Sequence, residues 1–379
     1  MKKIALFHPW IKSKGGAEKV VLKLAKELNA SVDIYTWIYD KEKTFPEFKD
    51  LNIKILSPNF AKKLSRAHIL RGLFLFLSIF SKIPLKKYDK FLISTSGVGE
   101  FITFRNYKKD QTYAYVHTPL REANKKIMGW NLKNRNYNFM QKVFYLLAVR
   151  IYKIFEKLSW KRLDYIVFNS ELSKQRAIES NLLKNKKNII IYPPIDLPHK
   201  NGLTKTSDYF LYVSRINPPK RQLELLMAWK EFNKKFPKYK IILIGSGENK
   251  KYFEKIQELI KKSKNAELKS NLEKGEIEKL YSNCLAGLFL GYQEDFGIVP
   301  LEIVNYGKPL IAVNQGGFVK TLGNFYKIKE KENSKDFINE IEKTLKQFVN
   351  SKKKIKTENK IKHKDFIKEM DKIIGENLK

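Results

Sequence analysis

The sequence predicts an α/β protein made of two doubly wound domains, each a parallel sheet covered by helices on both faces. Three observations carry this expectation. Short apolar runs alternate with segments of helical periodicity, the βαβ rhythm that builds parallel sheets. The rhythm breaks at a polar stretch over residues 198–208, which contains Gly202, and then restarts. At 379 residues the chain is long enough for two domains that each bury a core.

The elements follow in order. Residues 3–8 form a first apolar strand, then come a glycine-containing turn and a helix over 17–28. Runs over 32–37 and 53–57 are rich in β-formers, and further strands are expected at 90–95, 113–118, 165–170 and 189–192. After the break, a strand at 209–214 precedes a helix over 221–236, and a strand at 241–245 precedes a helix over 250–262. Strands at 286–290 and 309–313 bracket a helix over 298–306. The final stretch, 334–379, reads as helical and lysine-rich, with Phe337, Ile341 and Leu345 on one apolar face. The expected domains are 1–197 and 198–363, with a C-terminal helix over about 364–379 able to pack back on the first. Open α/β sheets bind ligands at the carboxyl ends of their strands, so two such domains are expected to face each other across a cleft.

Composition narrows the function classes. Hydrophobic residues at 43% and aromatics at 13% mark a globular chain. The single cysteine, Cys284, excludes an internal disulfide framework and suits a reducing compartment. The N-terminal residues read as a strand, not as a signal peptide. The longest apolar run, residues 73–80, is far short of the ~20 residues a membrane-spanning helix needs. Lysine and arginine total 75 against 39 acidic residues, leaving a net charge of +36 that calls for an anionic environment. Part of this surplus is compositional, lysine standing throughout at solvated positions.

Two windows are denser. Residues 60–90 hold Lys62, Lys63, Arg66, Arg71, Lys82, Lys86, Lys87 and Lys90 around an apolar segment over 70–77. Residues 139–162 place Phe139, Val143, Leu147, Ile151, Ile154 and Leu158 at helical spacing, with Lys142, Arg150, Lys153, Lys157, Lys161 and Arg162 among them. Such a helix suits an anionic lipid surface. Its ordinary reading, preferred here for 139–162, is an apolar stripe packed on the core.

Four features carry possible chemistry. The first turn, Lys14-Gly15-Gly16-Ala17-Glu18, brings backbone N–H groups and a helix N-terminus to a ligand, yet is neither a dinucleotide fingerprint nor a P-loop. In the second half, Ser214-Arg215-Ile216-Asn217-Pro218-Pro219-Lys220 places two cations around stiffening prolines, a pattern suited to a diphosphate. The third is Glu294-Asp295-Phe296-Gly297-Ile298-Val299-Pro300-Leu301-Glu302, two carboxylates that could each accept bonds from adjacent sugar hydroxyls. Gly297 leaves N–H groups at a helix start for phosphate oxygens. The fourth is Val116-His117-Thr118-Pro119-Leu120-Arg121, where a strand-end histidine is either a polar contact or base, or simply structural. Each of the others has its plainer reading too: a tight turn, a solvated basic loop, a capping acid, a solvated helix position.

Taken in this order, the pieces resemble glycosyltransferase family 4, the retaining nucleotide-sugar transferases of the GT-B fold. The resemblance rests on Gly15-Gly16-x-Glu18, His117-Thr118-Pro119-x-Arg121, Asn169-Ser170, Tyr192-Pro193-Pro194-x-Asp196, Arg215 with Lys220, Gly245-Ser246-Gly247 and Glu294-x7-Glu302. The His-Thr-Pro-x-Arg and Tyr-Pro-Pro-x-Asp pair looks most like the mannosyltransferase branch that builds lipid-linked polysaccharides. The resemblance implies that Arg215 and Lys220 hold the donor diphosphate, Glu302 the ribose, and Glu294 the hydroxyls of the transferred sugar. It implies N–H contacts from Gly15, Gly16 and the Phe296-Gly297-Ile298 segment, and a sugar contact from His117. Glu18 and Arg121 would serve the acceptor, and residues 268–270 would frame the base. After Gly316-Gly317 the family usually has an acid, whereas this chain has Lys320.

The expected activity is metal-independent transfer of a hexose, with mannose the best guess, from a nucleotide sugar to a glycan or polyprenyl-linked acceptor. No Asp-x-Asp pair occurs to chelate a metal, and no cofactor beyond the donor is expected. The implied localisation is cytoplasmic, peripheral to the inner face of an anionic membrane, in the synthesis of cell-surface glycans. Three alternatives remain at this point: a sugar-nucleotide epimerase or hydrolase, a non-catalytic sugar-binding module, and a basic nucleic-acid-binding protein. The last lacks a recognition motif, so nucleic acid is not expected as a partner.

Overall fold

The computed structural model describes residues 1–57, 80–135, 137–195, 206–247, 249–361 and 366–375. The chain divides into two compact units, Met1–Pro194 with His363–Lys379, and Ile195–Lys362.

In the first unit, strict alternation along the opening strand decides which side chains meet which layer. Ile4 and Leu6 turn to one face, and Ala5 and Phe7 to the other, all fully buried. The sheet has seven strands: β1 (Lys2–Phe7), β2 (Ala30–Thr36), β3 (Ile53–Ile55), β4 (Lys90–Thr95), β5 (Thr112–Val116), β6 (Tyr165–Phe168) and β7 (Lys187–Ile190). They lie in the order β3-β2-β1-β4-β5-β6-β7, every pairing parallel. The Ile4 and Leu6 face packs on helix α1 (Gly16–Glu27) through Val20, Val21 and Leu24, and on the C-terminal helix Phe366–Gly375 through Phe366, Met370 and Ile373. Asp371 fixes that helix by accepting the Asn29 N–H at 3.0 Å. The Ala5 and Phe7 face packs on Trp160, Leu163 and Ala177. Helices α2 (Lys125–Asn134), α3 (Phe139–Trp160) and α4 (Glu171–Glu179) complete the unit.

The second unit repeats the plan with six strands: β8 (Tyr209–Val213), β9 (Lys240–Ile244), β10 (Ala266–Lys269), β11 (Ala286–Phe289), β12 (Leu310–Val313) and β13 (Tyr326–Ile328). Their order is β10-β9-β8-β11-β12-β13, again all parallel. Helices α5 (Gln222–Lys235), α6 (Lys250–Lys262), α7 (Lys274–Asn283), α8 (Ile298–Asn305) and α9 (Ser334–Asn350) cover it. Phe337, Ile341 and Leu345 form the buried face of α9 and join Trp229 and Phe232 of α5 in the core. In both sheets the chain crosses over beside its first strand, between β1 and β4 and between β8 and β11. That reversal is the topological switch point of a Rossmann-like sheet.

The structure corrects several sequence expectations. The stripe Phe139, Val143, Leu147, Ile151, Ile154 and Leu158 does not pack on the core; all six side chains are exposed. The buried face of α3 is Val149, Tyr152, Glu156, Ser159 and Trp160, so polar groups with buried partners outcompete the aliphatic stripe for the interior. The stretch 334–379 is not one helical region. Helix α9 stops at Asn350, and the following chain pairs its backbone with the loop near Leu322, Gly323 donating to Glu358 at 2.7 Å and Lys360 to Thr321 at 2.9 Å. Strands β10 and β13 and helix α7 were not expected. Most of the polar break at 198–208, Asp196, and most of the basic window at 60–87 lie outside the described residues.

Candidate functional site

At the switch point of the second unit, two loops leave neighbouring strands and meet. The loop after β8 runs from Ser214 through a short 3-10 turn at Pro218–Lys220, and the loop after β11 runs through Glu294 to Gly297. The Tyr292 N–H donates to the Pro219 carbonyl at 2.8 Å and ties them together. Here the Lys220 Nζ donates to Glu294 Oε2 at 2.6 Å, both side chains being mostly buried. The same ammonium lies 5.2 Å from the centre of the Phe289 ring, and the Lys220 carbonyl accepts the Tyr212 hydroxyl. Arg215 is placed differently. Its side chain is exposed, while its carbonyl accepts from Gln222 Nε2 at 2.8 Å.

Behind this pair the backbone is crowded. The Gly317 N–H donates to the Glu294 carbonyl at 2.8 Å, and a Cβ on Gly317 would stand 2.0 Å from the Asp295 carbonyl oxygen. Only glycine lets the two loops approach so closely. Gly297 has φ 84, and an added Cβ there would press on Phe318 at 2.9 Å. It begins α8, turning the helix N-terminus into the same loop region. Phe296 is buried and Ile298 half-buried beside it. Glu302, inside α8, accepts the Tyr281 hydroxyl at 2.8 Å. Burial, then the adjacent Glu302, hold that phenol well above its ordinary range, so Tyr281 stays a donor. Beyond β10, Ser270 donates to the Gly245 carbonyl at 2.7 Å. Lys320 is exposed on the one-turn helix Phe318–Thr321.

The first unit gathers polar groups at its own switch point. Ser94, near the end of β4, stands between two buried imidazoles. Its Oγ is 3.1 Å from His8 Nδ1 and 2.9 Å from His117 Nε2. His8 Nδ1 also lies 3.2 Å from the Ser94 carbonyl, which can only accept. A proton on His8 Nδ1 serves that carbonyl, and the Ser94 hydroxyl can then donate to His117 Nε2, an arrangement that carries the His117 proton on Nδ1. Burial, reinforced by His8, pushes the His117 pKa down to about 3, so the ring is neutral at physiological pH. His8 is lowered too, by burial against the opposing charge of Glu18. Glu18 Oε1 accepts from Ser13 Oγ at 2.6 Å, and its other oxygen lies where a Cβ on Gly15 would be, 2.4 Å away. Gly15 therefore makes room for Glu18, and Gly16 opens α1. Thr118 Oγ1 accepts from the buried Arg176 at 3.0 Å, and Arg121 starts a short 3-10 turn.

Sequence reasoning missed several partners: His8 and Ser94 behind His117, Tyr281 on Glu302, Gln222 under the Arg215 loop, and Glu330, whose carboxylate takes both terminal nitrogens of Arg221. The signal for His8 was its place at the end of the first strand, where a short turn had been expected to matter only for its glycines. Tyr281 and Glu330 carried no signal, because their partners are set by the packing of α7 and by the strand β13.

Residues 195–362 match the family described as Glycosyl transferases group 1. The alpha-1,3/1,6-mannosyltransferase ALG2 of Kluyveromyces lactis is 24% identical, over 86% of this chain and 72% of the relative. The human GDP-Man:Man(3)GlcNAc(2)-PP-Dol alpha-1,2-mannosyltransferase is also 24% identical, over 83% of this chain and 73% of the relative. The solved structure of Anabaena Alr3699/HepE in complex with UDP aligns with 100% of this chain and 95% of its own, at TM-score 0.60 and 15% identity, which shows a shared fold. The domain match and the mannosyltransferase relatives support a nucleotide-sugar-dependent hexosyltransferase, and its units are of the GT-B, Rossmann-like type. More particularly, residues 195–362 match the group 1 glycosyltransferase domain, and the chain is similar to the alpha-mannosyltransferases named above.

Proposed function

We propose that this chain transfers a mannosyl residue from a nucleotide diphosphate sugar to a lipid-linked oligosaccharide at the cytoplasmic face of a membrane. The observation that carries the reading is the Lys220–Glu294 pair at the switch point of the group 1 domain. A cation for a diphosphate and a carboxylate for sugar hydroxyls are held there within one hydrogen bond of each other. The ammonium has two further N–H groups for phosphate oxygens, and the carboxylate has lone pairs for adjacent hydroxyls. Arg215, exposed beside the same loop, can add a bidentate contact to the diphosphate. The N–H groups at Gly297 and Ile298 face growing negative charge with the positive end of a helix. Tyr281 orients Glu302 for the ribose.

In the proposed reaction the bond from the anomeric carbon to the phosphate oxygen breaks as the acceptor hydroxyl attacks from the same side. The hydroxyl proton passes to the departing phosphate, and configuration is retained. The charge on the leaving diphosphate is met by Lys220, Arg215 and the helix N-terminus, so the proposal needs no metal and no further cofactor. In the first unit, neutral His117 offers its Nδ1 proton to a substrate hydroxyl, and Glu18 and Arg121 serve the acceptor. The names of the mannosyltransferase relatives support mannose and a dolichol-type acceptor, and the human relative's name favours GDP as the carrier. A panel of nucleotide sugars in a thermal-shift experiment tests the donor: GDP-mannose should raise the melting temperature, since a ligand confined to the native state stabilises it. A shift with UDP-sugars alone would move the donor assignment, and no shift with any nucleotide sugar would end it.

A further inference from the structure

The outer face of α3 has no partner in the transfer chemistry. Phe139 and Phe144 are 77% and 74% exposed, and Leu147, Ile151, Ile154 and Leu158 continue the same surface to the end of the helix. At 3.6 residues per turn these side chains spread over roughly 140° of the helix, wider than a stripe that meets one neighbour. Lone exposed apolar residues are ordinary; a contiguous row along six turns marks an interaction surface.

Charge selects the occupant. Lys142, Arg150, Lys157 and Lys161 are exposed among and beside the apolar residues. The helix contains one acid, Glu156, and it points inward, buried against Tyr152. A second copy of this face would therefore bring cations against cations. An anionic bilayer offers acyl chains for the phenylalanines and leucines and headgroup phosphates for the lysines, whose stems let the charge reach the interface. The inner side is equipped to hold the helix in place: Asn138 and Gln141 form a reciprocal cap at its start, and Trp160 and Tyr152 anchor its end.

We infer that α3 is a docking helix that lays the first unit on an anionic lipid surface, inserting Phe139, Phe144 and Leu147 among the acyl chains. This extends the proposed function, since a lipid-linked acceptor is presented at such a surface, but its evidence is independent of the donor site.

The test is sedimentation of the full chain with vesicles of phosphatidylcholine alone and of phosphatidylcholine mixed with phosphatidylglycerol. The wild type should pellet with the mixed vesicles, and less so as salt rises. The variant Phe139→Ser/Phe144→Ser/Leu147→Ser should partition roughly tenfold more weakly or worse, and so should Lys142→Gln/Arg150→Gln/Lys157→Gln. Both should keep the wild-type melting temperature and its shift with GDP-mannose, because the altered side chains are on the surface. The inference is overturned if the wild type ignores lipid charge or if the serine variant pellets as well as the wild type. A wild-type dimer that the serine variant turns into a monomer, without vesicle binding, would overturn it equally. Loss of the GDP-mannose shift in the wild type would instead strike the proposed function, whatever the vesicles do.

Discussion

Lys220 and Glu294, 74 residues apart in sequence, stand with Nζ 2.6 Å from Oε2 where the loops after β8 and β11 meet. Each fixes the position of the other, so neither can be removed without disturbing its partner. Lys220→Ala should lower kcat/KM by about 10²-fold or more, the scale for a lost donor to developing charge. Glu294→Gln should lower it comparably. The double variant should lose less than the product of the two effects, because residues in contact are not additive. Initial rates over a donor titration check all three.

His117 should not titrate in the working range. Its pKa of about 3 lies below the ordinary 6.5, so between those values the unfolded chain binds a proton that the folded chain does not. Its contribution to stability is therefore present above pH 6.5 and is lost as the pH falls through that window. A pH profile of kcat/KM should show no imidazole inflection from His117 between pH 5 and 8, roughly the range of an unperturbed histidine. Ser94→Ala removes its acceptor's partner and should weaken turnover while His117→Asn retains part of it; steady-state kinetics decide.

Glu156 gives the opposite pH signature. Tyr152 gives its one hydroxyl proton to the Gly97 carbonyl, and its oxygen lies 3.2 Å from Glu156 and 3.3 Å from Glu100. A protonated carboxyl can donate to that oxygen and an ionised one cannot. Burial, with Glu100 nearby, raises Glu156 from 4.5 to about 8. The folded state therefore holds a proton that the unfolded chain has lost, and this group's stabilisation is complete below pH 4.5 and gone once pH passes about 8. The slope is at most about 1.4 kcal/mol per pH unit for one proton. Glu156→Gln should flatten the decline between pH 5 and 8, measured by urea denaturation, where the ordinary range of a carboxyl in water is about 4.

Gly317→Ala should be costly for a backbone reason. The new Cβ would lie 2.0 Å from the Asp295 carbonyl oxygen, so the Glu294 loop must move. A loss of about 1–3 kcal/mol in stability is expected from such overpacking, together with weaker nucleotide-sugar binding. Thermal melts with and without donor separate the two effects.

Cys284 should resist thiol reagents in the native state. It is fully buried after α7, its thiol donates to the Tyr281 carbonyl at 3.3 Å, and burial pushes its pKa up to about 12. Reaction with a chromogenic disulfide should appear only with unfolding.

Much of the architecture was legible because parallel strands buried on both faces read as apolar runs. Phe91-Leu92-Ile93 and Phe210-Leu211-Tyr212 show this plainly. Strand β10 escaped because Ala266-Glu267-Leu268-Lys269 is a half-exposed edge with two charges. Helix α3 was placed correctly along the chain but turned the wrong way, since periodicity reveals a stripe and not what covers it. The outward orientation is decided by Tyr152, Glu156 and Trp160, whose buried bonds depend on Glu100, far away in sequence. At the site, the spacing Glu294-x7-Glu302 and the cations at 215 and 220 were visible. The pairing of Lys220 with Glu294 was not, because it follows from the order of strands β8 and β11 in the sheet.

The central claim is sugar transfer, and product analysis tests it most directly. The full chain is incubated with GDP-mannose and a polyprenyl diphosphate-linked oligosaccharide, and both products are resolved by mass spectrometry. The account predicts an acceptor heavier by a single hexose, with GDP released in equal amount and both formed about 10²-fold more slowly or worse in Lys220→Ala. Release of free sugar without any extended acceptor, or a donor merely converted to its epimer, would contradict it.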